Sequence, residues 1–460
     1  MSSLLMALLL LFWQMLAGWG LINYFRPALK PSIILPLSVI MGVAVFSVVP
    51  FLLQLFYIPV TCTNVFAGLL FATLLLNIGL YKNFLRLKMT FAGTTFKIAI
   101  YEWPYLLAIT AIIFVSVWRC FYFPPTPSDV TTGAEAIATY TVKEKTMINS
   151  VFSVTQNGNT LKPAFLTSLQ VIYKYAGFPF GQVWLSNIFI SFIIILYHIL
   201  NSTLHRVITG LLILLFLAIP EMYAYTFMIL YDYSNSVFFF LSVFFLIRYF
   251  KDQRINDIAF AGLLCGIATY IRPETLLLCV GVLPLIWFSN SKNDTGFFKA
   301  GISQALFIIP TLLFYVVAVY IYINSYLPEV YNIGEQLNKN LFDIKAAWHQ
   351  FTQTNSVLIF SNDGITYYGY FIFVFLGLFL LELIIKRKWN ATAKNYLYVT
   401  GLIYLLYPLL SHVLPGVSVE NTVKRAFFKL FPLMLLYMAN NELLVQLSGK
   451  IKKWELKIPR

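Results

Sequence analysis

LLMALLLLFWQMLAGWGLINYF, residues 4–25, carries no charged side chain over its whole length. A helix of about 20 apolar residues crosses the roughly 30 Å hydrocarbon core of a bilayer, and stretches of this kind recur along the chain as far as Leu447. Of 460 residues 60% are hydrophobic and 11% charged, and the mean hydropathy is +0.78. No water-soluble fold covers so much apolar side chain. Helices are expected rather than open strands, because lipid offers no partner to an unpaired backbone group. The opening MSSLLMALLLLFW has neither a basic start nor a small-residue cleavage site, so it reads as a retained span.

Thirteen spans are expected near 4–25, 33–57, 64–81, 98–118, 182–200, 206–219, 235–250, 257–271, 274–290, 300–326, 365–385, 396–410 and 427–447. One set of alternate loops, with the C-terminal tail, holds Arg26, Lys30, Lys82, Arg86, Lys88, Lys97, Arg206, Arg248, Lys251, Arg254, Lys292, Lys299, Lys386, Arg387, Lys388, Lys394, Lys450, Lys452, Lys453, Lys457 and Arg460. That is 21 of the 32 basic residues. Positive residues accumulate on the cytoplasmic side, so the C-terminus is expected inside and the N-terminus outside, in a multi-pass cell-membrane protein of bacterial inner-membrane type. The long polar segments 119–180 and 327–364 then face outward. The net charge of +14 is explained by this loop placement rather than by a continuous basic face, which argues against nucleic-acid binding.

Cys265 and Cys279 fall inside spans and read as small core residues. Cys62 and Cys120 fall on the outer side, where a disulfide is open to them in an oxidising compartment. There is no CxxC, and His198, His205, His349 and His412 are scattered, so a structural zinc site is not expected. The sequons at Asn201, Asn293 and Asn390 map to cytoplasmic loops, where glycans are not added. No repeat suggests an inverted-repeat transporter, and no low-complexity linker splits the chain.

Candidate chemistry lies where ionisable groups gather on the outer face, since charge near lipid is costly and tends to be kept for function. Arg119 to Glu135 reads RCFYFPPTPSDVTTGAE. The prolines fix the chain as it leaves a span, and Asp129 follows at the interface. Such a carboxylate can act as a general base toward an acceptor hydroxyl, or it can cap the helix that follows. Thr132-Gly-Ala-Glu135 fits a capping box. Lys162, before Pro163, is either an interfacial lysine or a phosphate contact. Arg272 and Glu274 are either a helix-end ion pair or, for Arg272, an anion ligand. Asp232 lies between two tyrosines that a span boundary favours anyway, and is a secondary acidic candidate. Lys424 and Arg425 run against the positive-inside trend, which favours an anionic ligand there. His412 and His349 default to solvated loop positions.

The acidic residue after a span, the Lys162-Pro163 pair before a juxtamembrane helix, Gly262-Leu-Leu-Cys-Gly266-Ile-Ala268 leading into Arg272-Pro273-Glu274, and Lys424-Arg425 before a final span with Phe431-Pro432 follow one another over residues 98 to 440. In that order they resemble the GT-C membrane glycosyltransferases, especially relatives of the protein O-mannosyltransferases and of the lipid A aminoarabinose transferase. The family places its acidic loop after the first span; here three further spans come before the span that leads into it. Residues 1–97 are therefore read as added N-terminal helices before a core at 98–460. The resemblance implies an all-α polytopic glycosyltransferase of cell-envelope polysaccharide biosynthesis or a related pathway. It would take sugar from a polyprenyl-phosphate donor and pass it to a glycan, lipid or protein acceptor at the outer face.

In that scheme Asp129 is catalytic. Glu135, Lys162, Asp232, Arg272, Glu274, His412, Lys424 and Arg425 are candidates for substrate binding. The resemblance leaves room for a divalent metal ion and fixes no cofactor. Asp129 and Glu135 stand six residues apart, about 1.7 helical turns, and do not share a helix face, so they are not expected to bridge one metal. The absence of a Gly-rich phosphate loop suits a lipid-phosphate donor. Rival readings are a transporter or lipid-linked-glycan flippase, a polysaccharide polymerase or ligase, for which His412 with Arg425 speaks, and a non-catalytic scaffold.

Overall fold

A computed structural model describes residues 3–27, 29–79, 82, 85–86, 88, 98–125, 133–154, 163–292, 296–323, 343–386, 389–411 and 419–455. Every regular element among them is helical. The longer helices are α1 (Ser3–Phe25), α2 (Pro31–Leu55), α3 (Cys62–Leu76), α4 (Trp103–Tyr122), α5 (Ala134–Glu144), α6 (Phe165–Tyr175), α7 (Val183–Asn201), α8 (Arg206–Leu217), α9 (Tyr231–Asp252), α10 (Ile255–Ile271), α11 (Thr275–Lys292), α12 (Gly296–Tyr315), α13 (Ile344–Thr354), α14 (Phe371–Lys386), α15 (Ala391–Ser411), α16 (Leu430–Asn440) and α17 (Glu442–Glu455).

Among the described residues six helices are long and apolar enough to cross a membrane, or eight if each of two bent pairs is one span. Four more apolar helices, Cys62–Leu76, Arg206–Leu217, Ile255–Ile271 and Thr275–Asn290, are shorter. The described parts of the thirteen expected segments are largely helical, but only six to eight spans meet the length and hydropathy of a crossing, and two segments are broken. The segment expected at 365–385 turns by 95° between Asn362–Tyr368 and α14, at Gly369, whose φ of +59° few other residues adopt. The segment expected at 427–447 bends by 56° at Asn441, whose extended backbone ends α16. There the buried carboxylate of Glu382 accepts from Tyr437 Oη, from Asn441 Nδ2 at 3.0 Å and from the Glu442 backbone N–H at 2.7 Å. The freed backbone of the bend is thereby satisfied inside the protein.

Small residues decide which helices meet. A Cβ on Gly42 would stand 1.8 Å from the Gln14 carbonyl oxygen, and one on Gly18 1.9 Å from that of Ser38, so α1 and α2 touch backbone to backbone. The Gly262–Gly266 pair does the same for α10 and α12, with Leu306 O 2.4 Å and Pro310 O 2.9 Å from where each Cβ would stand. Without a hydrophobic drive between helices in lipid, such close approach is what holds them together. Polar seams add to it. Asn187 Nδ2 donates to Gln14 Oε1 at 2.7 Å, Gln14 Nε2 donates to Tyr173 Oη at 3.1 Å, and Tyr270 Oη donates to Ser47 O at 3.2 Å. The N-terminal helices are thus packed into α6, α7 and α10.

One pair of cysteines differs from expectation. Cys265 and Cys279, read as separate core residues, are joined in a disulfide between α10 and α11. Cys62 and Cys120 are free thiols, the first exposed and the second buried.

Candidate functional site

Proline shapes the centre of the site. A residue before proline is pushed out of the helical region, and Arg272 accordingly ends α10 with φ −141° and ψ 111°. Thr275 N–H then bonds back to Arg272 O at 3.0 Å and starts α11. The tight Arg272-Pro273-Glu274 turn is held from outside by Asn235 of α9, whose Nδ2 donates to Ala268 O at 2.6 Å and to Thr275 Oγ1 at 3.0 Å. One turn before Asn235, in the first turn of α9, stands Asp232. A carboxylate is favoured there by the helix dipole.

The two ends meet in a buried ion pair. Arg272 Nη1 lies 2.7 Å from Asp232 Oδ1 and 3.0 Å from Glu274 Oε1. Arg425 Nη1 lies 3.8 Å from the other oxygen, Asp232 Oδ2. Burial by itself would lower the pKa of Arg272, but the carboxylates of Asp232 and Glu274 outweigh it and raise the value above the ordinary one. Its charge is fixed at any working pH.

Arg425 and its neighbours are brought in from far along the chain. Ser236 Oγ donates to Phe428 O at 2.7 Å, tying α9 to the start of the last helical segment. Tyr368 Oη donates to Lys424 O at 2.8 Å. Lys424 Nζ reaches Glu221 Oε1 at 2.7 Å and lies 4.0 Å from the Tyr367 ring centroid. Lys429, 1% exposed, donates to Tyr407 Oη at 3.0 Å and lies within electrostatic reach of Glu274, Arg272 and Asp232. Among the described residues, four cations, Arg272, Lys424, Arg425 and Lys429, thus stand near the three carboxylates of Glu221, Asp232 and Glu274.

Beside Lys429 and Tyr407 runs an apolar groove of about 300 Å³, lined by Phe375, Leu376, Leu397, Tyr404, Leu430 and Met434 among others. Two lining residues, Tyr404 and Leu430, are close in sequence to Tyr407 and Lys429, although none of the four cations lines the groove itself. Pro163 also reaches this end of the protein, its carbonyl oxygen 3.5 Å from Tyr231 Oη.

The sequence-derived candidates divide. Asp232, Arg272, Glu274, Lys424 and Arg425 are brought together here. Asp129, Lys162 and His412 lie outside the described residues, as does Thr132 of the expected capping box. Glu135 makes another contact: it pairs with Lys174, accepts from Gln170 and so ties α5 to α6. Burial raises its pKa, against the opposing pull of Lys174 and Gln170. The helix it begins has Gly133 as N-cap, without a side-chain cap.

Glu221, Tyr367, Tyr407 and Lys429 were not singled out from sequence. Lys429 carried a signal, since an ionisable residue inside an apolar run marks a site by default. The metal left open by the resemblance does not fit these groups. Asp232 and Glu274 both face Arg272, and among the described residues no set of three or more His, Cys, Asp or Glu could hold a metal ion. Comparison with models of known protein families, with curated proteins and with solved structures finds no match to this chain.

Proposed function

We propose that this protein is a GT-C-like membrane glycosyltransferase with about thirteen membrane crossings. It transfers a sugar from a polyprenyl-phosphate donor to a glycan, lipid or protein acceptor at the outer face. The observation that carries this reading is the pairing of Arg272 and Arg425 with the one carboxylate of Asp232, in a protein that also has an apolar groove lined by Leu430, the residue after Lys429. A lipid phosphate has a counterpart to each, an anion and an apolar chain. The distribution of basic residues supports an outside N-terminus and, with it, an outer position for this cluster.

In the reaction, Asp129 takes the proton of the acceptor oxygen as that oxygen attacks the anomeric carbon. The bond from that carbon to the donor phosphate breaks, and the electron pair leaves with the phosphate. The cations stabilise the charge that develops there, which is the largest contribution such a site makes. Asp232 acts as a positioning residue, its two oxygens orienting Arg272 and Arg425.

A flippase for the same lipid is the second reading, favoured by the same groove and cluster, and it needs no base. The two are separated by Asp129→Asn and Asp129→Ala, assayed for sugar transfer from a polyprenyl-phosphate hexose in membranes with matched protein levels. Asparagine caps a helix about as well as aspartate but takes no proton. A base predicts that both variants lose roughly 10²–10⁴-fold in transfer. Near-normal transfer by Asp129→Asn would overturn the assignment of the base, and a wild-type protein that moves the lipid without transferring sugar would favour the flippase.

A further inference from the structure

At the C-terminal end of α1, in a part of the protein that the cation cluster does not use, a cavity of about 450 Å³ is lined by Trp19, Asn23, Arg26 and Arg86, with Ile22 and Ile34 on its apolar side. Trp19 is 5% exposed. Its indole Nε1–H and the buried Nδ2 amide of Asn23 have no hydrogen-bond acceptor among the described residues. Buried donors are rarely left unmade, so the pair marks where an acceptor belongs. No carboxylate is among the described lining residues. The end of α1 and the start of α2 meet here with opposed dipoles that offset one another, which leaves the guanidinium groups to set the sign. Arg26 itself turns the chain, at φ +44°, a conformation that residues other than glycine seldom adopt.

Trp19 also borders a second hollow. A groove of about 610 Å³ runs between α1 and α3 from Met6 to Trp19, past Phe12, Trp13, Phe66 and Leu70. That stretch of helix rises about 20 Å, enough for one lipid chain. Phe12 and Leu70 are 54% and 53% exposed, so the groove opens sideways, where a bilayer lipid would enter.

We infer that the two hollows form one binding site for an anionic membrane lipid. Its phosphate-bearing headgroup accepts from Trp19 Nε1–H and Asn23 Nδ2–H and is paired by Arg26 and Arg86. One of its chains lies along α1 in the apolar groove. The basic loops place this headgroup in the cytoplasmic leaflet, which is where anionic lipids meet juxtamembrane arginines. The site stands on its own observations and does not require the transferase reading.

The test uses the full-length chain in detergent, with bound lipid counted by native mass spectrometry against phosphatidylglycerol, phosphatidylcholine and inorganic phosphate. The wild-type protein should retain one phosphatidylglycerol at least tenfold more tightly than phosphatidylcholine. Arg26→Gln and Trp19→Phe should each weaken that retention by about tenfold or more, the scale of a lost charge-assisted hydrogen bond, and leave phosphatidylcholine unchanged. Trp19→Phe keeps the ring in the wall and removes only the N–H, so it tests the site even where the arginine variant fails to fold. Equal retention of the two lipids, or full retention by Trp19→Phe, would overturn the inference. Displacement of the lipid by millimolar inorganic phosphate would also overturn it, by making the pocket a site for free phosphate.

Discussion

Arg272 Nη1 stands 2.7 Å from Asp232 Oδ1, and both side chains are almost wholly withdrawn from solvent. Breaking a buried pair by removing one partner typically costs about 3–5 kcal/mol, whereas replacing both by apolar residues can be neutral. Asp232→Leu should therefore destabilise the protein by that amount in detergent denaturation, and Asp232→Leu combined with Arg272→Met should recover a large part of it. A double variant as unstable as the single one would mean that the pair does not act as a unit.

Lys429 should act on donor binding more than on folding. It touches Tyr407 rather than a carboxylate, so Lys429→Met leaves no buried charge bonded to it without a partner. The expected outcome is a loss of about 2–5 kcal/mol in affinity for a polyprenyl phosphate, the scale for truncating a desolvated charge contact, with an unchanged melting temperature. Binding assays on purified protein decide it. Unaltered affinity would remove Lys429 from the site.

The α10–α12 seam leaves no room at Gly262. A Cβ there would lie 2.4 Å from Leu306 O, a backbone atom that cannot swing aside. Gly262→Val should cost about 1–3 kcal/mol or more, as overpacking does. Because α10 ends in Arg272, the same change should also weaken donor use. Gly301, whose added Cβ would meet nothing within 4 Å, is the control: Gly301→Ala should leave both readouts unchanged.

Thiol chemistry offers a direct count. In the native protein a maleimide should label Cys62 alone; after unfolding, Cys120 as well; and only after reduction Cys265 and Cys279. The bond closes a short loop around the Arg272 turn, and loops of about 15 residues gain roughly 3 kcal/mol from such a bond. Cys265→Ser should show a stability loss of that order. Labelling of all four cysteines on unfolding without reductant would contradict the pairing.

The helices were legible because each is written locally, in twenty or so apolar residues between charges. Arg272-Pro273 was legible for the same reason, since a proline acts on the residue beside it. What could not be read was convergence. Glu221 meets Lys424, and Lys429 meets Tyr407, across gaps in sequence that only helix packing closes. The bends at Gly369 and Asn441 were also missed, although polar residues stand at both, in Tyr367-Tyr368-Gly369-Tyr370 and Asn440-Asn441-Glu442; the average hydropathy of each stretch outweighed them. The cysteine pairing turned on which faces of α10 and α11 oppose one another, and composition carries no information about facing.

Asn235 gives its amide hydrogens to Ala268 O, at the end of α10, and to Thr275 Oγ1, at the start of α11. Asp232 is one turn away on the same helix. The guanidinium and its carboxylate therefore share a single frame of reference: a tilt or slide of α9 carries the turn bearing Arg272 along with it. One turn on from Asp232, Ser236 of the same helix holds Phe428 O, so the segment that bears Lys424 and Arg425 is anchored to α9 as well. The 3.8 Å between Asp232 and Arg425 is therefore set by one helix, which serves as the common mount for both ends of the cation cluster.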